Sequence, residues 1–443
     1  MNTQNDKIVV GLDIGTTKIC VMVGRKNEYG KLDVLGMGKS VSDGVVKGKV
    51  INIEKTIVAI KKAVEEAEEV SGIDIKVVNV GIAGQHIRSS IHRGSITRPD
   101  RDEEITVEDV NRLTNDMHRM VIPAGNQIIH VMPQVYTVDY DDEIKDPVGM
   151  TGVRLEADFH VITADINSIN NIQKCVKRAG LDIENMILEP LASSLAVLSD
   201  EEKEAGVCII DIGGGTTDIA IFHENIIRHT GVIPFGGNII TSDIKEGCMV
   251  MQQQAELLKT KFGKAISLEA NDNEIVSIPG LRNRPPKEIS VKNLAHIVEA
   301  RMEEIVDLAH AEILNSGFEG KLTGGIVITG GGSQLHSVRQ LVEYQTGMDA
   351  RIGYPNEHLG KSKLEQVKSP MFATAVGLVL VGYRSLDERE NRYQEAKALN
   401  RNMVQQDKQK SGKREGDFFS KIINKTKSLL IDDFDESDDF NKN

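Results

Sequence analysis

Two carboxylates, two hydroxyls and three glycines lie within one short stretch of the chain, Asp211 to Asp218 (DIGGGTTD). Glycine allows backbone dihedral angles that other residues avoid, and it lets an oxyanion approach the main chain closely. Carboxylate oxygens suit a hard divalent cation, and a turn of backbone amides suits phosphate. The stretch therefore predicts a phosphate-binding tip with a metal ion, although a plain hairpin turn can use the same residue types.

A shorter form of this pattern occurs near the start of the chain, from Asp13 to Lys18 (DIGTTK). It again combines a carboxylate, a glycine and two hydroxyls. A motif that recurs about half a chain later suggests two related domains that face each other. The two tips could then hold the phosphate chain of a nucleotide from both sides, and Lys18 would add a positive charge.

Apolar patterns predict the elements that must position these tips. Strand-like runs flank each tip, at residues 7–12 and 19–23 and at residues 206–210 and 219–222. Amphipathic helices are predicted over residues 55–71 and 291–316.

A third glycine-rich turn, Gly330-Gly331-Gly332, follows a buried-type strand, residues 325–329, and precedes a predicted helix. Such a turn brings backbone amides close to a ligand.

Residues 85–162 contain three alternating strand patterns and a helix that begins at Thr106, with Asp109 three residues later as in a capping box. They predict a small inserted module for binding or assembly. No catalytic constellation is visible in this segment.

Three charged side chains have both a structural and a functional interpretation. Glu189 precedes Pro190 at the start of a predicted helix, where it either caps the helix or points into the cleft and orients a water. Glu256 and Lys259 lie three residues apart on one helix face. They are either a surface ion pair or, beside a nucleotide, contacts to ribose and adenine.

Composition excludes several classes of function. The chain has 443 residues, too many for one compact core, and its net charge of -13 and lack of Trp argue against nucleic-acid binding. The four cysteines form no Cys-x-x-Cys pair, and no His or Cys spacing indicates a protein-built metal site. No signal-type segment begins the sequence, and the longest apolar run, 371–383, is too short to span a bilayer. We therefore expect a cytoplasmic protein.

The C-terminal part changes character. Residues 387–416 are polar and predict a flexible linker, whereas residues 417–431 predict an amphipathic helix and residues 432–443 an acidic tail. A helix beyond a linker has no core for its apolar face, which favours a membrane surface or a partner groove over docking on the body. The apolar face and its flanking lysines comprise Phe418, Phe419, Ile422, Ile423, Leu429, Leu430, Lys421 and Lys425.

Together these motifs resemble the actin-like ATPase superfamily, whose two phosphate hairpins, two connecting helices and adenosine turn correspond to residues 13–18, 211–218, 189–196, 371–382 and 329–333. Within it, residues 146–156 (DPVGMTGVRLE), Leu191 to Ser194, Gly206 to Cys208 and the C-terminal amphipathic helix resemble the FtsA family of bacterial cell-division proteins. The resemblance covers residues 7–431. The loop 247–252 and the acidic tail depart from the family pattern.

The resemblance implies an α/β, actin-like (duplicated ribonuclease-H-like) two-lobed ATPase fold with an inserted small α+β subdomain. Residues 1–84, completed by 163–204 and 370–386, would form subdomain 1A, and residues 85–162 the inserted subdomain 1C. Residues 205–240, completed by 318–369, would form subdomain 2A. Residues 241–317 would form subdomain 2B.

The resemblance also implies roles for individual residues. Asp13 and Asp211 would hold Mg²⁺, mainly through water, and Glu189 would orient the attacking water; these three are the candidate catalytic residues. Lys18 would neutralise phosphate charge, and Glu256 and Lys259 would contact the nucleoside. The predicted phosphate cradle consists of Gly15, Thr16, Thr17, Gly213, Gly214, Gly215 and Thr216, and the predicted adenine turn of Gly330, Gly331 and Gly332.

The implied function is an ATP-binding, filament-forming scaffold, with at most slow ATPase activity, that tethers FtsZ to the inner face of the cell membrane at the division septum. The C-terminal peptide of FtsZ would dock near residues 290–315, where Arg301 is the expected contact, and other division proteins would bind the inserted subdomain. Two alternatives are a PilM-like cytoplasmic assembly ATPase and a phosphotransferase such as a sugar kinase. The C-terminal helix argues against the first, and the lack of a substrate-binding carboxylate cluster argues against the second.

Overall fold

A computed structural model describes residues 7–280, 285–360 and 364–410. The predicted membrane-targeting helix (417–431), the acidic tail (432–443) and residues 411–416 of the predicted linker lie outside these ranges. The chain divides into two compact units, residues 1–384 and 385–443. In the described ranges, no helix combines the length and the apolar character that crossing a membrane requires.

The elements of the described ranges follow in chain order. The strands are β1 (Ile8–Ile14), β2 (Lys18–Lys26), β3 (Leu32–Val41), β4 (Val45–Val46), β5 (Lys49–Val50), β6 (Val77–Ile82), β7 (Ile87–Thr97), β8 (Asn126–Val138), β9 (Asp141–Ile144), β10 (Arg154–Asp165), β11 (Asp182–Leu188), β12 (Val207–Ile212), β13 (Thr217–His223), β14 (Ile226–Ile233), β15 (Ile275–Ile278), β16 (Lys287–Ser290), β17 (Ile326–Thr329) and β18 (Ala350–Ile352). The helices are α1 (Ile53–Ser71), α2 (Val107–His118), α3 (Ile166–Ala179), α4 (Glu189–Val197), α5 (Asp200–Ala205), α6 (Gly237–Gly247), α7 (Gln252–Phe262), α8 (Val291–Ser316), α9 (Val338–Thr346) and α10 (Ala373–Lys410).

Two five-stranded sheets share one topology. Their strand orders are β11-β6-β1-β2-β3 and β14-β13-β12-β17-β18. In each sheet an antiparallel hairpin is extended by a third antiparallel strand on one side and by two parallel strands on the other. We call the first sheet with its helices the first lobe and the second sheet with its helices the second lobe. The repeated topology confirms the duplication that the two tip motifs predict.

The amphipathic helix that apolar periodicity predicts in each lobe is present. Helix α1 begins after Asn52, whose side chain accepts a hydrogen bond from the Lys55 amide, and it ends at Gly72, where φ is 71°. Helix α8 covers the predicted residues 291–316. Each helix packs its apolar face onto the adjacent sheet, which buries side chains such as Ile60 in α1 and Ile305 in α8.

A four-stranded antiparallel sheet, β7-β10-β8-β9, and helix α2 follow β6 and form the insert. Thr106 and Asp109 make the predicted reciprocal capping box at the start of α2. Phe159 and Leu113 are fully buried between this helix and the sheet, so the insert has its own core. The chain enters the insert near residue 84 and leaves it near residue 165.

Helix α10 differs from the prediction. Residues 387–416 were expected to form a flexible linker, but α10 continues through this segment as far as Lys410. The polar composition led to the prediction because such a segment cannot bury a core. Residues 387–410, however, lack glycine and proline and are rich in Glu, Gln, Arg, Lys and Ala, all good helix formers.

Candidate nucleotide-binding site

The two predicted tips come together between the lobes. The first tip joins β1 to β2, and the second joins β12 to β13. A side chain on Gly214 would overlap the Thr17 hydroxyl, and a Cβ on Gly215 would lie 2.5 Å from the Thr16 hydroxyl. Glycine is therefore required at these positions so that backbone from the second lobe can approach hydroxyls from the first.

Three carboxyl groups from separate elements converge at this junction. Asp13 and Asp211 are buried at the ends of β1 and β12, and Glu189 begins α4. A Cβ on Gly81 of β6 would lie 3.2 Å from Oε1 of Glu189, which shows how closely Glu189 packs against β6. Burial raises the pKa of Glu189 well above its usual value, and the charges of the neighbouring aspartates raise it further. An added cation would relieve this repulsion.

Lys18 supplies positive charge beside these carboxylates. Its Nζ lies 3.0 Å from Oδ2 of Asp13. Although burial opposes it, the Asp13 charge raises the pKa of Lys18 above its usual value, so Lys18 remains cationic. Lys18 therefore balances part of the negative charge of the site and can contact a phosphate group.

Hydrogen bonds fix the orientation of Asp211. The hydroxyl of Ser193 in α4 donates to Oδ2 of Asp211 at 2.6 Å, and the hydroxyl of Thr374 in α10 does so at 3.3 Å. Burial raises the pKa of Asp211, whereas the bond from Ser193 lowers it. Ser193 and Thr374 were not predicted as site residues, and no local spacing indicates Thr374.

Asp218 is a further carboxylate that was not assigned a role. Its Oδ2 accepts a hydrogen bond from the Thr216 hydroxyl at 2.9 Å, and its buried Oδ1 has no protein partner. Burial and the nearby Asp211 charge raise the pKa of Asp218 to about 7. Its position at the end of the second motif was the available signal.

The turn after β17 lies against the second tip. Gly330 has a φ of 83°, and a side chain there would clash with the Asp211 carboxylate. A Cβ on Gly332 would meet Ile212, whereas Gly331 faces open space. The predicted adenine turn is thus next to the predicted phosphate tip.

Glu256 and Lys259 lie on α7 close to the same tip. The Lys259 Nζ donates to Oε2 of Glu256 at 2.7 Å, to the Gly237 carbonyl at 2.9 Å and to the Thr241 hydroxyl at 2.9 Å. The Gly237 amide in turn donates to the Gly213 carbonyl at 2.9 Å. The pair therefore joins α7 to the turn behind the second tip, and its nucleoside contact stays a prediction.

The other predicted residues lie elsewhere. Arg301 on α8 binds Asp243 at 2.6 Å through Nε and also pairs with Glu304, so its guanidinium already has partners in this chain. The eight predicted membrane residues lie outside the described ranges. They are Phe418, Phe419, Lys421, Ile422, Ile423, Lys425, Leu429 and Leu430.

The described ranges contain no group of three His, Cys, Asp or Glu side chains arranged to hold a metal ion. Asp13 and Asp211 could still hold one through water, with phosphate oxygens completing its shell, as Mg²⁺ prefers. The crowded carboxyl groups and the unpartnered Oδ1 of Asp218 fit a divalent cation at this point.

Comparison with known proteins agrees with these observations. A family model described as cell division protein FtsA matches residues 208–377, and one described as the SHS2 domain inserted in FTSA matches residues 84–163. The cell division protein FtsA of Pseudomonas aeruginosa is 42% identical over 86% of this chain and 90% of its own length. The proteins of the same name from Escherichia coli K12 and Bacillus subtilis are 36% and 35% identical, each over 86% of this chain and over 91% and 85% of their own lengths.

Solved structures show the same fold at low identity. The PilM-PilN type IV pilus biogenesis complex matches with a TM-score of 0.62 and 15% identity, over 84% of this chain and 98% of that one. MreB5 of Spiroplasma citri bound to ADP matches with a TM-score of 0.53 and 15% identity, over 87% and 99%. These likenesses confirm the predicted actin-like ATPase fold. With the sequence matches over most of its length, the chain belongs to the FtsA family of cell division proteins.

Proposed function

We propose that this chain is an ATP-binding scaffold that forms actin-like filaments and tethers FtsZ to the cytoplasmic face of the cell membrane at the division septum. One observation supports the proposed nucleotide binding most directly. The tip with Thr16 and Thr17 meets the tip with Gly214 and Gly215 beside the buried Asp211. A related fold with ADP in MreB5 supports the same choice of ligand.

The residues at the junction would divide the work of holding Mg²⁺–ATP. Backbone amides and hydroxyls of the two tips would contact phosphate oxygens, and Lys18 would balance their charge. Asp13 and Asp211 would hold the cation through water. When bound, Mg²⁺ neutralises negative charge on the phosphates and on the surrounding carboxylates.

Glu189 would orient a water at the terminal phosphate. A carboxyl group can accept a proton from water only when it is ionised. Burial and neighbouring carboxylates raise the pKa of Glu189, which reduces its ionised fraction. A divalent cation bound beside Glu189 would lower this pKa and increase the ionised fraction, so Glu189 would act as a base only with the cation in place.

The segment 417–431 would anchor the protein on the membrane. Each large apolar side chain gains about 1.5–3 kcal/mol when fully transferred from water. Six partly immersed side chains, less the cost of ordering the helix, give a modest and reversible affinity. Polymerisation would link many anchors and raise the avidity sharply. The nucleotide could thus control attachment by controlling filament formation.

The proposed partner surfaces are those that the resemblance to the FtsA family implies. The C-terminal peptide of FtsZ would dock on α8 and its surroundings, and the insert would contact neighbouring subunits and other division proteins. Arg301 remains the proposed peptide contact. Because it already binds Asp243 and Glu304, an incoming carboxylate would have to displace one of them. We therefore expect a weak contact at this residue.

Calorimetric titration of the full chain with Mg²⁺–ATP tests the nucleotide site. Asp211→Asn should weaken binding at least tenfold because it removes a carboxylate proposed to hold Mg²⁺, whereas Asp74→Asn, an exposed control, should have no effect. Thermal unfolding of both variants establishes that they fold. Equal affinities for the wild type and Asp211→Asn would contradict the assignment.

Sedimentation with liposomes tests the anchor. The full chain should pellet with vesicles of anionic lipid, and a chain that ends at Gly416 should stay in the supernatant. Equal pelleting of the two would show that residues 417–443 are not the anchor.

A further inference from the structure

The short hairpin β4–β5 fixes a lysine beside the first tip. Its turn residues, Lys47 and Gly48, have φ values of 50° and 75°, as in the type I′ turn of a two-residue hairpin loop. The Gly48 amide donates to the Thr16 hydroxyl at 3.2 Å. A side chain on Gly48 would overlap the Ala83 carbonyl, so the turn is wedged between the tip and the end of β6. The backbone of Lys47 is thereby fixed next to the predicted phosphate cradle.

The side chain of Lys47 reaches from the first lobe to the second. Its Nζ lies 5.3 Å from the centre of the Phe235 ring, which is a cation–π contact. The Phe235 carbonyl accepts a hydrogen bond from the Thr217 hydroxyl of the second tip at 2.9 Å. Lys47 therefore crosses the cleft at the level of the two tips.

A phosphate group is a stronger partner for an ammonium ion than an aromatic ring at an exposed site, because it offers charge-assisted hydrogen bonds. Lys47 is exposed and has a flexible four-carbon stem, so it can exchange one partner for the other. Lys18 is less free to do so because it is paired with Asp13. Lys47 is thus a cation that an incoming phosphate can recruit.

The arrangement of the site indicates which phosphate that is. The expected nucleoside contacts, Glu256, Lys259 and the turn after β17, all belong to the second lobe. A phosphate chain that starts there and extends between the tips brings its last group closest to the first lobe. Thr16 and Lys47 lie on that side. A diphosphate is one phosphate group shorter and would extend less far towards Thr16 and Lys47.

We propose that Lys47 selects nucleoside triphosphate over diphosphate by leaving Phe235 and binding the terminal phosphate. This inference rests on the proposed nucleotide site and adds to it the residue that distinguishes bound triphosphate from bound diphosphate. With ADP, Lys47 keeps its contact with Phe235. With ATP, the terminal phosphate replaces the ring as the link between Lys47 and the second lobe.

Calorimetric titrations of the full chain with Mg²⁺–ATP, Mg²⁺–AMPPNP and Mg²⁺–ADP test this inference. Lys47→Met should weaken binding of ATP and AMPPNP about tenfold and leave ADP binding within about twofold of wild type. Lys49→Met is the matched control, because Lys49 lies two residues away on the same hairpin. Its positive charge interacts with His86 and Asp165 rather than with the second lobe. It should change neither affinity. Lys47→Arg, which keeps the charge, should retain most of the preference for ATP.

The outcomes separate this inference from the proposal on which it rests. If the wild type binds neither nucleotide, both the nucleotide site and the role of Lys47 are wrong. If the wild type binds both nucleotides and Lys47→Met binds them like the wild type, only the role of Lys47 is wrong. Equal losses for ATP and ADP in Lys47→Met, with Lys47→Arg unable to restore selectivity, would also overturn it, because they would indicate that Lys47 only supports the hairpin.

Discussion

The hydroxyl of Ser193 donates a 2.6 Å hydrogen bond to the carboxylate of Asp211, and both side chains are buried. Ser193 lies in α4, which begins with Glu189, and Asp211 is the next-to-last residue of β12. One contact thus joins the helix that carries the proposed water-orienting residue to the tip that carries the proposed metal-holding residue. Thr374 completes the cluster, 3.1 Å from Ser193.

Replacing Ser193 by alanine should destabilise the fold by about 1.5–3 kcal/mol, because a buried carboxylate loses a hydrogen-bond donor. Nucleotide affinity should fall as well, since Asp211 would lose its fixed orientation. Ser194→Ala is the matched control: its hydroxyl binds the Leu191 carbonyl in its own helix, so its loss should cost less. Urea unfolding and nucleotide titration check both effects. Equal losses in the two variants would contradict the special role of Ser193.

The turn after β17 provides a second test. Gly330→Ala should strongly impair nucleotide binding and lower the unfolding midpoint, because the new methyl group would clash with Asp211 at a φ of 83°. Gly331→Ala should leave stability nearly unchanged because nothing lies within 4 Å of the added Cβ. Thermal unfolding and nucleotide titration of both variants check the prediction. Similar behaviour of the two variants would show that the turn is not packed as described.

The sequence predicts the parts of the site that neighbouring residues form, but not the contacts between residues that lie far apart along the chain. Both tips and the turn at Gly330 are local patterns of strand and glycine, so the sequence predicts where they form. The bonds from Ser193 and Thr374 to Asp211 were missed because tertiary packing alone brings them together. The contact between Lys47 and Phe235 was also missed, since a lysine in a short hairpin usually lies on a solvated surface.

The fold, too, could be predicted only where local sequence patterns determine it. The duplicated sheets and helices α1 and α8 follow from periodicity and caps, which act over a few residues. The extent of α10 was not predicted, because polar composition alone does not distinguish a solvated helix from a flexible chain. The absence of glycine and proline from 387–410 was the signal that should have indicated a helix.

Three buried histidines should each destabilise the fold as the pH decreases from about 6.5 to 4. Burial lowers the pKa of His160 to about 4, and the charge of His229 lowers it further. Burial also lowers the pKa of His86 and the pKa of His130 to about 4. Because the folded-state pKa is below that of the unfolded chain, the unfolded state binds protons that the folded state excludes. Each such histidine should therefore lower the free energy of unfolding by about 1.4 kcal/mol for each unit by which the pH falls in this window.

The contribution of His160 can be isolated. Its Nε2 lies 3.3 Å from the Thr230 hydroxyl of β14, so it joins the insert to the second lobe. His160→Gln should reduce the slope of unfolding free energy against pH in this window by about 1.4 kcal/mol per pH unit, since it removes one such group. His296→Gln, at a side chain that is 57% exposed, should not change the slope. An unchanged slope in His160→Gln would contradict the prediction.

The acidic tail should weaken membrane attachment. Residues 432–443 carry six carboxylates beside the predicted amphipathic helix, and an anionic bilayer repels them. A chain that ends at Ile431 should therefore bind anionic vesicles more tightly than the full chain at low salt. The difference should shrink at high salt, where charges are screened, and disappear on zwitterionic vesicles. Equal binding at low salt would leave the tail without an electrostatic role.

Electron microscopy on anionic lipid monolayers tests most directly the claim that nucleotide between the two tips controls a membrane-bound polymer. The wild-type chain should form filaments with Mg²⁺–ATP and few or none with Mg²⁺–ADP. Asp211→Asn should form few filaments with either nucleotide while still folding. Filaments that are equally abundant with ATP, with ADP and in Asp211→Asn would contradict the account.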